Sequence, residues 1–429
     1  MTAARPYLRL LRNNRDFTRV YVAQLISFAG DWFATVALLG LALETTGSTT
    51  AASLVLVLQT GPFVLVSTYA GILADRLDRR KLMVMSDVLR AVVALGFLLA
   101  RDGSTLWIAL VCVALLSVGA AFFEPASSAS LPNLVEPEDL PAANALMFAS
   151  WGTMLAVGAG LGGLVAAIAG RDVAFVVNAV SFLVSGLLIY GVRRPLTAPR
   201  TEHDDARIEA AIAAGRTGMR HEVADTLSLI RHSRSIAALL LIKATFGVGM
   251  GVVLLLAVFG RDVFHGGDAG IGVLFAARGV GAVIGPFIAR RFMTGDDAGL
   301  LRVIAIALGA FVVGYSLLPV SPVIAVGAVC VCLAHMGGGA QWSLSSFGLQ
   351  RAVPDHIRGR VFSFDYALVL FSTTVSLLIA GVLAGFLGPV PTLYVLMGGV
   401  SASGLLWLLW TRPLRRSKLI GVGGAQDVR

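Results

Sequence analysis

Asp31, in "SFAGDWFATVAL", is a carboxyl in the middle of a long apolar run. Counted from Phe17 at about 1.5 Å per residue, it lies roughly 20 Å along that run. An acid at such depth in a bilayer is costly unless it faces water, is paired or holds a proton. It could therefore take a proton from one side and release it to the other, or form half of a structural ion pair. Two cations sit in comparable runs. Arg278 in "FAARGVGAVIGP" is near mid-depth and could pair with Asp31 or contact an anionic substrate. Lys243 in "LLLIKATF" is roughly 10 Å from one end, within snorkelling reach of the interface.

A second concentration of charge is the short stretch "GILADRLDRRKL", residues 71–82, which holds Asp75, Arg76, Asp78, Arg79, Arg80 and Lys81. Its cations are explained by membrane topology; Asp75 is not. Trp32, Phe33, Trp151, Phe246, Met250, Gln341 and Trp342 could line a central cavity, or pack against lipid and core. Gly158 with Gly162, and Gly281 with Gly285, each form a stripe of small residues that lets helices approach closely.

These residues need membrane helices to hold them. Of the 429 residues, 57% are hydrophobic and 14% charged, with a mean hydropathy of +0.82. That balance excludes an ordinary soluble domain. Apolar runs long enough to cross a bilayer recur near 17–43, 51–74, 82–100, 104–123, 142–169, 172–191, 236–259, 269–289, 299–318, 321–341, 361–387 and 390–410. They do not alternate as β-barrel strands would, so an all-α polytopic protein of about twelve spans is expected. A polar segment, 192–235, separates two six-span bundles, 1–191 and 236–410, and a polar tail covers 411–429.

Basic residues set the orientation. Arg5, Arg9, Arg12, Arg15 and Arg19 of the N-terminal arm, the 71–82 loop, the central segment, Arg290 with Arg291, Arg351 with Arg358 and Arg360, and the tail fall in one set of breaks. The alternate set holds Arg101, Arg171 and Arg261, each followed by Asp. Both termini are therefore expected in the cytoplasm. One break departs from the rule: "FFEPASSASLPNLVEPEDLPAANAL" carries Glu124, Glu136, Glu138 and Asp139 and no base. The arm spacing fits a helix at the inner lipid surface, or equally a solvated basic face without a specific partner. No removable signal peptide is expected. The halves look duplicated, with "PEDLPAANALMFA" before span five matched by "PDHIRGRVFSFDYA" before span eleven, and "GILADR" after span two by "GPFIARR" after span eight.

At this point the chain resembles the major facilitator superfamily, whose loop between spans two and three has Gly, three residues, Asp, a base, any residue, Gly, then bases. Here that reads Gly71, Asp75, Arg76, Asp78, Arg79, Arg80 and Lys81, with Asp78 in place of the second Gly. "LRNNRDFTRVYVAQLISFAGDW", "PASSASLPNLV" and "LQRAVPDHIRGRVFSF" look like the efflux branch of transmembrane secretion effectors that includes siderophore and macrolide exporters. "VGAGLGG" is similar to an antiporter signature, with Ala159 where that has Pro; the span-four signature, aligned on Gly119, puts Leu115 where it has Arg. The resemblance implies two pseudo-symmetric six-helix bundles, alternating access, contact of spans five and eight between the halves, and a latch in which Asp75 meets the start of span eleven near Arg358 and Arg360.

The sequence holds no GxxxxGK[ST] nucleotide motif and no HExxH, so ATP-driven transport and a zinc protease are not expected. Cys112, Cys330 and Cys332 lie in apolar runs without CxxC spacing, so no metal, cofactor or disulfide framework is expected. The expectation is a non-enzymatic, monomeric secondary transporter of the cell membrane. It exports small amphiphilic molecules by proton antiport, with the bilayer and protons as partners and no nucleic acid. A facilitator or importer on the same fold, and a non-transporting sensor or assembly partner, are the alternatives.

Overall fold

The computed structural model describes residues 5–197, 233–293, 296–353 and 355–416. All regular elements among them are helices. Twelve are long and apolar enough to cross a membrane: spans one to twelve run Arg15–Thr46, Thr49–Ser67, Arg79–Leu99, Leu106–Leu134, Leu140–Ala169, Arg171–Tyr190, Arg234–Val263, Gly267–Arg290, Asp297–Val320, Ile324–Ala352, Val361–Leu387 and Pro389–Trp410. In hydrocarbon the backbone must satisfy itself, which makes helices the solution for such runs. Their ends fall where side chains can take over. Asn14 caps span one by accepting from the Phe17 N–H at 2.9 Å, and Gly47, at φ 61°, closes it with an N–H to the Leu43 carbonyl. Span four does not stop at residue 123 as expected; it continues through Pro125 and Pro132 to Leu134, which leaves Glu124 well inside the helix.

Two spans are opened and mended from a neighbour. Pro62 interrupts span two, and Ser117 of span four accepts from the Phe63 N–H at 3.0 Å while donating to the Gln59 carbonyl at 2.8 Å. Span seven breaks at Met250 and Gly251. There Ser376 of span eleven accepts from the Gly251 N–H at 2.8 Å and donates to the Val248 carbonyl at 2.5 Å. Each serine replaces a backbone partner that the break removed.

The chain forms two compact units. Unit 1 holds the arm, spans one to six and Leu254–Gly279; unit 2 holds span seven up to Val253 and everything from Val280. At the arm end of unit 1, Leu10, Phe17, Val20, Leu82, Met83, Phe123, Leu131, Leu134 and Ile189 share one core. The arm helix, Arg5–Asn13, is thus docked on protein through Leu10, and only Tyr7 and Leu8 among its described apolar side chains are exposed. The acidic break after span four is matched locally: Asp139 pairs with Arg9 at 2.7 Å and Glu136 with Arg194 at 3.4 Å.

Candidate transport site

Within unit 1 the intramembrane acids converge on a cation that the apolar-run reading passed over. Asp87 and Arg90 are one turn apart on span three, fully buried, with Nη2 to Oδ1 at 2.5 Å. The Arg90 guanidinium lies over the rings of Phe182 at 4.3 Å and Phe123 at 4.9 Å. It rests on Gly119, where a Cβ would come within 2.6 Å of the Arg90 Cγ. Span four has Leu115 where the resembled signature has Arg; here a guanidinium reaches Gly119 from span three. Half-buried Asp31 and Glu124 both lie within electrostatic reach of Arg90. Asp87 alone is bonded to this cation, and the carboxyls of spans one and four feel its charge at longer range. Asp87 Oδ2, Arg90 Nε and both polar atoms of the Asn178 side chain are buried without a hydrogen-bond partner among the described residues. Beside Asp31, Gly30 lets span six close in: a Cβ there would lie 2.0 Å from Ser181 Oγ. The signal for this cluster was present in "LMVMSDVLRAVVAL", two opposite charges three residues apart inside an apolar run.

Arg278 is buried and stands over the Trp151 ring at 5.9 Å. Trp151 also meets Trp32 edge-on at 6.4 Å, and Trp32 meets Phe275 at 6.0 Å. These rings form one aromatic group within unit 1.

Unit 2 has its own charge and its own aromatic group. Lys243 does not snorkel: it is 1% exposed and bonded to Asp365 of span eleven and, at 2.9 Å, to Ser346 of span ten. Its ammonium lies 5.0 Å from the Trp342 ring. Asp365 is likewise buried in this pair. A buried ammonium needs a compensating charge, and span eleven supplies it as a carboxylate packed against span seven. Trp342 packs on Phe246 at 6.3 Å, and Phe246 on Phe311 at 5.4 Å, next to hydrogen-bonded Tyr315 and His335. Gln341 is fully buried and donates to the Ile242 carbonyl at 2.6 Å, so it struts span ten against span seven. Met250 is buried at the span-seven break.

The glycine stripes pack closely against span one and span ten. Gly158 and Gly162 lie against Ala29 and Phe33 of span one, a Cβ at Gly162 falling 2.7 Å from the Phe33 Cα. Gly281 and Gly285 lie against Cys332 and Met336 of span ten. The approach of spans five and eight belongs to a different face. A Cβ on Gly163 would lie 2.7 Å from the Gly272 Cα, one on Gly272 2.7 Å from the Ala159 carbonyl, and one on Gly279 2.4 Å from the Ala156 N. A helix turns about 100° per residue, so a neighbouring residue belongs to another interface.

At the end of unit 1 remote from the arm, all three arginines of the sparse set are paired. Arg101 bonds Asp172 at 2.6 Å; Arg171 bonds Asp268 and Glu44; Arg261 bonds Asp262 at 3.0 Å. Asp102, between spans three and four, accepts from Ser104 and Thr105, and those hydrogen bonds hold its carboxyl below the usual carboxylate range.

In the 71–82 loop, Gly71, Asp75 and Arg76 belong to a helix Thr49–Arg76, but their side chains lie outside the described residues, as do those of Arg358 and Arg360. Asp78, in place of the family Gly, caps span three by accepting from the Lys81 N–H at 3.0 Å. Arg79 donates to the Ala129 carbonyl at 2.7 Å and Arg80 to the Arg194 carbonyl at 2.9 Å, so these two bases tie the loop to span four and to the chain just beyond span six.

The sequence profile of the transmembrane secretion effector family matches residues 10–417. The multidrug efflux pump Tap of Mycolicibacterium fortuitum is 27% identical over 86% of this chain and 89% of its own. Macrolide efflux protein A of Streptococcus pyogenes is 22% identical over 87% of this chain and 90% of its own. Among solved structures, a bacterial homologue of the iron transporter ferroportin in its inward-facing state superposes with a TM-score of 0.68 at 18% identity, covering 92% of this chain and 98% of that one. Sequence profile, twelve spans and backbone agree: the chain belongs to the transmembrane secretion effector family of the major facilitator superfamily, and is a multi-pass membrane transporter of small molecules rather than an enzyme.

Proposed function

We propose that the protein exports small amphiphilic molecules of drug or siderophore type by proton antiport with alternating access, as a monomer in the cell membrane with both termini cytoplasmic. The efflux pumps among its relatives support export. What supports the coupling is the excess of carboxyls around Arg90, which is bonded to Asp87 while Asp31 and Glu124 lie within electrostatic reach of it. Asp87 is committed to its hydrogen-bonded partner, which leaves Asp31 and Glu124 to exchange protons. Substrate binding beside Trp32 and Trp151 would be felt by Asp31, the residue adjoining Trp32. The ion-paired end of unit 1 faces outward in this reading. Asp75 holds the cytoplasmic latch, with Gly71, Arg76, Arg79 and Arg80 shaping its loop.

Everted vesicles loaded with a pH gradient, acid inside, test this. Uptake of a cationic dye or macrolide is expected to need the gradient, and Asp31→Asn to lose that dependence. Wild-type rate with unchanged pH dependence in Asp31→Asn would remove the coupling assignment. Gradient-independent flux would make the protein a facilitator, and binding without flux a sensor.

A further inference from the structure

At the arm end of unit 1, four separate stretches enclose a cavity of about 440 Å³. Arg9 comes from the arm helix, Arg15, Asp16 and Arg19 from the first turns of span one, Glu136 and Asp139 from the break after span four, and Arg193 and Arg194 from the chain beyond span six. The acids are taken. Asp139 holds Arg9 at 2.7 Å, Asp16 holds Arg19 at 3.1 Å, and Glu136 holds Arg194 at 3.4 Å. Asp16 also accepts the backbone N–H groups of Arg193 and Arg194 at 3.1 and 3.0 Å, which pins this turn to span one. Five guanidiniums against three carboxylates leave two over, and Arg15 and Arg193 are the two without an acid partner among the described residues.

Two surplus arginines among the residues lining one cavity suit a phosphate, which guanidinium forks bind with paired hydrogen bonds. The depth suits a lipid. Arg15 is the first residue of span one and Arg193 lies three residues past the end of span six, so both stand where a bilayer has its headgroups. Exposed Tyr7 and Leu8 on the arm helix add an apolar margin beside the bases, as in helices that lie at a membrane surface. We propose that this cavity binds the headgroup of an anionic phospholipid. The lipid would fasten the arm helix, the acidic break and the end of span six to one another at the membrane surface.

The full-length protein, reconstituted in phosphatidylcholine with and without phosphatidylglycerol, gives the test. Native mass spectrometry is expected to find phosphatidylglycerol retained, and thermal unfolding to be raised by it. Arg15→Ala with Arg193→Ala should cut retention on the order of tenfold. Arg12→Ala, an exposed arginine of the same arm that does not line the cavity, should leave it unchanged, and the paired Lys substitutions should keep part of it. Both pairs replace side chains that hold no described structural partner, and far-UV dichroism checks that they fold. Retention by the Ala pair equal to wild type overturns the proposal. So does equal stabilisation by soluble glycerol 3-phosphate, which would make the cavity a site for a free phosphate.

Discussion

Arg171 grips Asp268 with two parallel hydrogen bonds, Nε to Oδ2 at 2.7 Å and Nη2 to Oδ1 at 3.1 Å, and the same Nη2 reaches Glu44 at 2.6 Å. One guanidinium thereby joins the start of span six, the end of span one and the start of span eight. Fork geometry makes this pair worth more than an exposed one. A double-mutant cycle of Arg171→Ala and Asp268→Ala, read by thermal unfolding, is expected to show a coupling of about 1–3 kcal/mol. Arg171→Lys should recover only part of it, because an ammonium has no fork. Gly40→Ala should resemble the loss of the pair, since its Cβ would fall 2.0 Å from Asp268 Oδ1.

Arg90→Ala leaves Asp87 buried without its cation. The expected loss is about 3–5 kcal/mol of stability. Arg90→Lys should regain some charge pairing while losing the planar contact with Phe123 and Phe182. Adding Asp87→Asn to Arg90→Gln should restore much of the stability. Unfolding in detergent measures all four variants, and a wild-type midpoint for Arg90→Ala would contradict the buried pairing.

Gly272→Ala should damage the contact of spans five and eight, at about 1–3 kcal/mol for overpacking. Transport should fall with it. Gly398→Ala is the control, because a Cβ there meets nothing within 4 Å, and its flux and stability should match wild type. Equal flux in the two variants would dismiss the close approach as a working part.

Lys243 and Asp365 test whether a buried pair stabilises or specifies. Either Lys243→Met or Asp365→Leu alone is expected to cost about 3–5 kcal/mol by stranding the other charge, whereas the double variant should be neutral or more stable than wild type. If the double keeps its stability and loses transport, the pair serves the transport cycle; if it keeps both, the pair serves packing alone. Thermal unfolding and vesicle flux separate these outcomes.

The distribution of glycine shows what could be read in advance. The small-residue stripes were visible in sequence, but Gly158 and Gly162 turn to span one while Gly163 meets Gly272. Spacing reveals that a helix face permits close approach; it does not say which neighbour the face meets. Lys243 makes the same point for charge: its place in the apolar run was plain, its carboxylate lay 122 residues further on. The acidic break after span four looked like an exception to the positive-inside pattern until Arg9 and Arg194 stood across from it.

Sequence alone determined that this is an all-α protein of twelve spans, because a chain of this hydropathy must bury its backbone polar groups in helices wherever it meets hydrocarbon. It also determined the family and the inventory of costly charges, since an ion in an apolar run stands out by composition. Pairing was decided only in three dimensions. Arg90 with Asp87, Lys243 with Asp365 and Arg171 with Asp268 depend on helix rotation and on neighbours distant in the chain, and neither is encoded in any short stretch of residues.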